Sequence, residues 1–108
     1  MKPDQRSSRR KPLRAHGTVT FDGAAPLAIH TIDIGSAGLS IGISLQLKPG
    51  QRCQVRFDLY HQGKKQAISV SAKVGHCICG GNDGFKAGLL FIEMDPAGAK
   101  AIAEFVAD

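Results

Sequence analysis

Leu39-Ser40-Ile41-Gly42-Ile43-Ser44-Leu45-Gln46-Leu47 is the stretch that decides the architecture. Every odd position is aliphatic, and every even position is small or polar. That period of two is the signature of a strand with one face on a core, because successive strand side chains point to opposite sides. Pro49-Gly50 ends the run. The same rhythm returns downstream. Cys53, Val55, Phe57 and Leu59 alternate with Gln54, Arg56 and Asp58, and Ile68, Val70, Ala72 and Val74 alternate with Ser69, Ser71 and Lys73. A loop around Gln62-Gly63-Lys64-Lys65 separates these two runs.

Upstream, Gly17–Phe21 alternates and stops at Asp22-Gly23, a hairpin signal. Leu27–Ile34 is a further apolar segment, closed by a small-residue turn at Gly35–Gly38. A Gly-rich turn at Gly80–Gly84 precedes Phe85–Ile92, which is apolar on both faces, as in a central strand. The period then changes. Asp95 suits a helix N-cap and Pro96 its first turn. Ala99, Ile102, Ala103 and Val106 fall on one helical stripe, which Phe105 widens. Six short strands and a closing helix predict an all-β fold, an antiparallel barrel or sandwich with the helix over an open end or edge. At 108 residues the chain is one domain with one modest core, and 43% apolar residues exclude wholesale disorder.

The net charge of +5 is unevenly placed. Residues 1–14 hold Lys2, Arg6, Arg9, Arg10, Lys11 and Arg14 against Asp4 alone, and the rest of the chain is neutral. The expected organisation is a flexible basic arm over residues 1–13 and a barrel with its helix over residues 14–108. A basic arm on a neutral body points to a local anionic partner. No apolar run is long enough to span a bilayer, and no secretory core follows Met1. Three cysteines, Cys53, Cys77 and Cys79, fit a reducing, cytoplasmic setting.

Two stretches carry binding chemistry. In Arg9-Arg10-Lys11-Pro12-Leu13-Arg14, Pro12 argues against a continuous helix, so the guanidinium groups sit on extended or turned backbone. Arginine grips phosphate with a planar fork of donors and stacks on flat rings. In Asp33-Ile34-Gly35-Ser36-Ala37-Gly38, the carboxylate can accept two hydrogen bonds from a guanine edge or fix the turn itself, and the glycines permit backbone angles closed to other residues.

In order and spacing these stretches resemble the PilZ family, whose pattern is two arginines separated by three residues, then Asp or Asn, any residue, Ser, two residues and Gly. Arg10 and Arg14 match the arginines, with Arg9 beside them, and Asp33 and Gly38 match the second part. Gly88-Leu89-Leu90-Phe91 looks like the late family strand. The resemblance runs from about Arg9 to Val106. It implies a six-stranded antiparallel barrel with a C-terminal helix, and a receptor for cyclic di-GMP that is not an enzyme and needs no cofactor. By carry-over, Arg10 and Arg14 would hold phosphates and guanine faces, with Arg9 auxiliary. Asp33 would read guanine edges, and Gly38 would hold the turn open. Gly35 stands where the family has Ser, and the hydroxyl is displaced to Ser36. One lost hydrogen bond is worth roughly 0.5–1.5 kcal/mol against roughly 1.5–3 for a charge-assisted arginine contact, so the arginines should decide binding. Ordering of the arm around ligand would be the signal to a downstream protein partner. The alternative is an adaptor of the same fold, acting in pilus assembly or motility without nucleotide.

Other chemistries are poorly served. His76-Cys77-Ile78-Cys79 lacks the two-residue spacings of structural zinc sites, so the thiols read as free and the metal sites as none. No nucleophile motif or close acid pair suggests catalysis, and Gly80–Gly84 lacks the Lys-Ser/Thr ending of a phosphate loop. A nucleic-acid surface would present stacking aromatics on an open face. Here Phe21, Phe57, Phe85, Phe91 and Phe105 mostly fall in core phase, and Tyr60 lies near a loop.

Overall fold

The computed structural model describes residues 9–80 and 84–107. The strands are β1 (Arg10–Pro12), β2 (His16–Phe21), β3 (Leu27–Gly35), β4 (Gly38–Ile43), β5 (Arg52–His61), β6 (Lys64–Cys79) and β7 (Phe85–Met94), followed by helix α1 (Pro96–Ala107). All neighbours are antiparallel. The order β3-β2-β5-β6-β7-β4 closes on itself through β3–β4 pairing, which makes the six-stranded barrel expected from the sequence. The short β1 adds to β3 beyond the point where β2 leaves it.

The alternating aliphatics fill the barrel. Val19, Ile34, Leu39, Ile41, Val55, Leu59, Ile68, Val70, Val74 and Leu89 are almost wholly buried. The strand begun at Gly38 stops at Ile43, short of the run to Leu47. Leu47 remains in the core, whereas Leu45 is exposed. Strand β7 is paired on both edges, and its Leu90 and Ile92 are exposed. Turn chemistry agrees with the sequence. Ala24 N donates to Phe21 O around Gly23, which has φ of 75°, and Gln62-Gly63 joins β5 to β6 with φ of 54° and 78°. The tip at residues 81–83 lies outside the described residues.

Asp95 caps α1, its Oδ1 accepting from Gly98 N at 2.7 Å. The buried side of the helix is Gly98, Ile102 and Phe105, with Ala101 and Val106 packed against the core. Ala99 and Ala103, expected on that stripe, are exposed, because bulky Phe105 sets which face turns inward.

Four irregularities shape the outer surface, the last at Ile92, left over on β7 between the pairs Ser71–Glu93 and Ala72–Phe91. Pro12 pairs with Asp33 and His16 with His30, so three residues, Leu13-Arg14-Ala15, oppose two, Thr31-Ile32. Buried Thr31 fills this bulge. Its Oγ1 accepts from Ala15 N and donates to Leu13 O, both at 2.8 Å. The second bulge is Ile32, left over between the pairs Thr31–Ile41 and Asp33–Ser40. The third is Gly75, left over between Val74–Leu89 and His76–Gly88. An extra residue on a strand reverses which face the following side chains take. Asp33 and His76 are thereby turned outward, while Ile34 enters the core.

The sequence reading places residues 9–13 in the arm. Of these, Arg10–Pro12 form a strand in the sheet, and residues 1–8 lie outside the described residues.

Candidate functional site

On β1 and its continuation into β2 the even positions face out. Arg10, Pro12, Arg14 and His16 are exposed, while Leu13 is buried and Lys11 half-buried. Arg10 and Arg14 therefore share the outer surface. The bulge at Ile32 brings Asp33 to that same surface. Arg10 Nε and Nη2 both lie 2.7 Å from Asp33 Oδ1, and Nη2 also donates to Ser40 Oγ at 3.3 Å. Asp33 and Ser40 are register partners across β3 and β4, so the cluster spans three adjacent strands.

The ion pair is loosely held. Its side chains are 39% and 30% exposed, for Arg10 and Asp33 respectively. Exposed pairs contribute about 0–1 kcal/mol, so this one opposes an incoming anion only weakly. An incoming anion can thus displace Asp33 from Arg10 and leave the carboxylate facing the newcomer.

Two clefts flank the cluster. One, of about 780 Å³, is lined by Arg10, Arg14, His16, His30, Ile32 and Asp33. The other, of about 280 Å³, is lined among others by Gly38, Ser40, Gly75, His76, Gly88 and Leu90. Arg10 lines both.

The glycines act by closeness rather than by turn geometry. Neither Gly35 nor Gly38 has positive φ among the described residues. A Cβ on Gly35 would stand 2.9 Å from Arg9 O and 3.5 Å from Arg10 Cγ, and one on Gly38 would collide with Leu89 O. Gly38 thus lets β4 approach β7, instead of holding a turn open. Ser36 is exposed at the two-residue tip between β3 and β4, and Arg9 is exposed at the start of β1.

Of the residues singled out in the sequence, Arg10, Arg14 and Asp33 converge on one cleft, Gly35 lies under Arg10, and Gly38 borders the second cleft. Sequence reasoning did not find Ser40, His16, His30 or His76 as cleft residues. Ser40 had a usable signal, since Leu39 and Ile41 face inward and a strand sends their neighbour out. On the opposite face of β1, Lys11 Nζ donates to Phe105 O at 3.0 Å and sits 4.4 Å over the Phe105 ring.

Among the described residues no group of three His, Cys, Asp or Glu side chains could hold a metal ion, and no helix is long and apolar enough to cross a membrane.

A family model described as PilZ domain matches residues 4–108. A search of curated protein sequences finds no match. Among solved structures, the chain is similar to the motility inhibitor MotI/DgrA of Bacillus subtilis, with a TM-score of 0.80 and 13% identity over 91% of this chain. It spans about half, 47%, of that longer protein. It is also similar to the PilZ domain of YcgR from Escherichia coli, a structure with c-di-GMP, with a TM-score of 0.64, 13% identity, and 91% and 86% of the two chains covered. A third likeness is to the PilZ domain of CeSA from a cellulose-synthesizing bacterium, with a TM-score of 0.58, 16% identity, and coverages of 91% and 94%. At these identities the likenesses speak to the fold.

Proposed function

The chain belongs to the PilZ domain family, and on that premise we propose that it is a cyclic di-GMP receptor, non-catalytic and cytoplasmic, that passes ligand occupancy to a protein partner. The observation that carries this reading is the half-exposed Arg10–Asp33–Ser40 cluster at the mouth of a cleft shared with Arg14. The two arginines supply paired donors for phosphate, and Asp33, once released, accepts from a guanine edge. The ligand's phosphates replace a carboxylate already bound to Arg10, so binding exchanges one ion pair for stronger ones rather than bringing together free charges.

This refines how the signal is carried. Because Arg10–Pro12 already pair with β3, the ligand acts by re-setting β1 on the barrel.

A second reading keeps the fold and drops the nucleotide: an adaptor acting in pilus assembly or motility. Gly35 favours it, because this position lacks the family hydroxyl.

Isothermal titration with cyclic di-GMP separates the two. The receptor reading expects saturable heat that is abolished in Arg10→Ala and in Arg14→Ala. Absence of binding by the unaltered protein at high micromolar ligand would leave the adaptor.

A further inference from the structure

On the outer surface the register lines up a row His16–His30–Gly42–Lys86 across β2, β3, β4 and β7, and beside it a row Asp33–Ser40–Gly88–His76 across β3, β4, β7 and β6. Each row holds a histidine opposite a glycine. The His30 ring occupies the space where a Cβ on Gly42 would stand, and the His76 ring does the same over Gly88. Both imidazoles therefore lie across the neighbouring strand instead of standing away from the sheet. Gly42 and Gly88 are themselves diagonal neighbours on the β4–β7 pair, about 7–8 Å apart by ordinary sheet geometry. His76 reaches this surface only because of the bulge at Gly75.

Both residues are exposed. His30 lines the larger cleft, His76 the smaller, and Arg10 lines both. A ring with one side on a glycine strand and the other toward a cleft is a stacking platform for a flat base, a use nucleic-acid-binding proteins make of histidine as of other aromatics. We propose that His30 and His76 stack the guanine bases of the ligand beside the Arg10–Asp33–Ser40 cluster, while Arg10 and Arg14 hold its phosphates. This inference rests on the cyclic di-GMP reading and adds to it where the bases lie.

The competing account is that each ring merely fills the gap above a glycine. Leucine fills that gap but does not stack, and phenylalanine does both. Titration calorimetry with cyclic di-GMP on His30→Leu, His30→Phe, His76→Leu and His76→Phe therefore discriminates. Stacking predicts roughly tenfold weaker binding for each Leu variant, within the range measured for base–aromatic contacts, and near-normal binding for each Phe variant. In the unaltered protein, the imidazole proton signals of His30 and His76 should shift upfield as ligand is added, a readout that holds even if a variant folds poorly. Failure of the unaltered protein to bind would overturn both the receptor reading and this inference. Normal binding that Arg14→Ala abolishes, with Leu variants unimpaired and imidazole signals unmoved, would overturn this inference alone.

Discussion

Gly35 shows how one missing side chain sets the seat of β1 on β3. A serine there would place its Cβ 2.9 Å from the Arg9 carbonyl, a distance real Cβ atoms rarely tolerate, so β1 would have to move outward. Gly35→Ser is expected to speed amide exchange at Lys11 and to cost about 1 kcal/mol of stability, as modest overpacking does. Hydrogen exchange by NMR and a urea melt measure both. Cys53 is the other position with a defined consequence. Burial beside Ala72 on the adjoining strand pushes its thiol from an ordinary 9.0 up to about 11. Between those values the unfolded chain gives up a proton that the folded chain keeps, so stability is whole below pH 9 and falls as pH rises toward 11. Urea midpoints at pH 8 and above pH 10 should drop further in the unaltered protein than in Cys53→Ala, which removes this group's contribution to the slope.

The strands follow alternation wherever pairing is regular, and fail to follow it where a residue is inserted. Leu39, Ile41 and Ile43, Cys53 through Leu59, and Ile68 through Val74 announce their buried faces in the sequence, as Asp95 announces the helix cap. The bulges at Ile32 and Gly75 do not. Continuing the phase of Ile29 and Thr31 would put Asp33 inside the barrel, and continuing that of Val74 would bury His76. An insertion is a property of two strands in register, and nothing in either strand alone records it. The arginine and aspartate residues were thus legible as types at a spacing, whereas their convergence with Ser40 and the histidines depends on long-range pairing. Thr31 offers the test. Thr31→Val leaves Ala15 N and Leu13 O without their partner in the bulge, expected to cost about 1–3 kcal/mol in a denaturant melt. It should also weaken cyclic di-GMP binding by displacing Arg14, although Thr31 is buried and does not itself reach a ligand on the outer surface.

The charge of the whole chain is as asymmetric as its surface. All of the net +5 resides in residues 1–14, against a neutral barrel. An anionic ligand is therefore attracted by one end of the molecule, and that attraction is screened within about 10 Å at 0.1 M salt. Titrations at low and high ionic strength should show affinity for cyclic di-GMP falling as salt rises, while the barrel's own melting midpoint moves little. The closed barrel that carries these charges has β1 as a seventh, three-residue strand laid along β3, and the two sides of β1 serve different masters. Arg10 faces the clefts, and the very next residue, Lys11, pins the last turn of α1 through the Phe105 carbonyl and ring. Were a guest to draw the strip outward, the Lys11 peg would be pulled from the helix on its inside. News of the guest would accordingly surface at the carboxyl end of α1, a distance away from the clefts themselves.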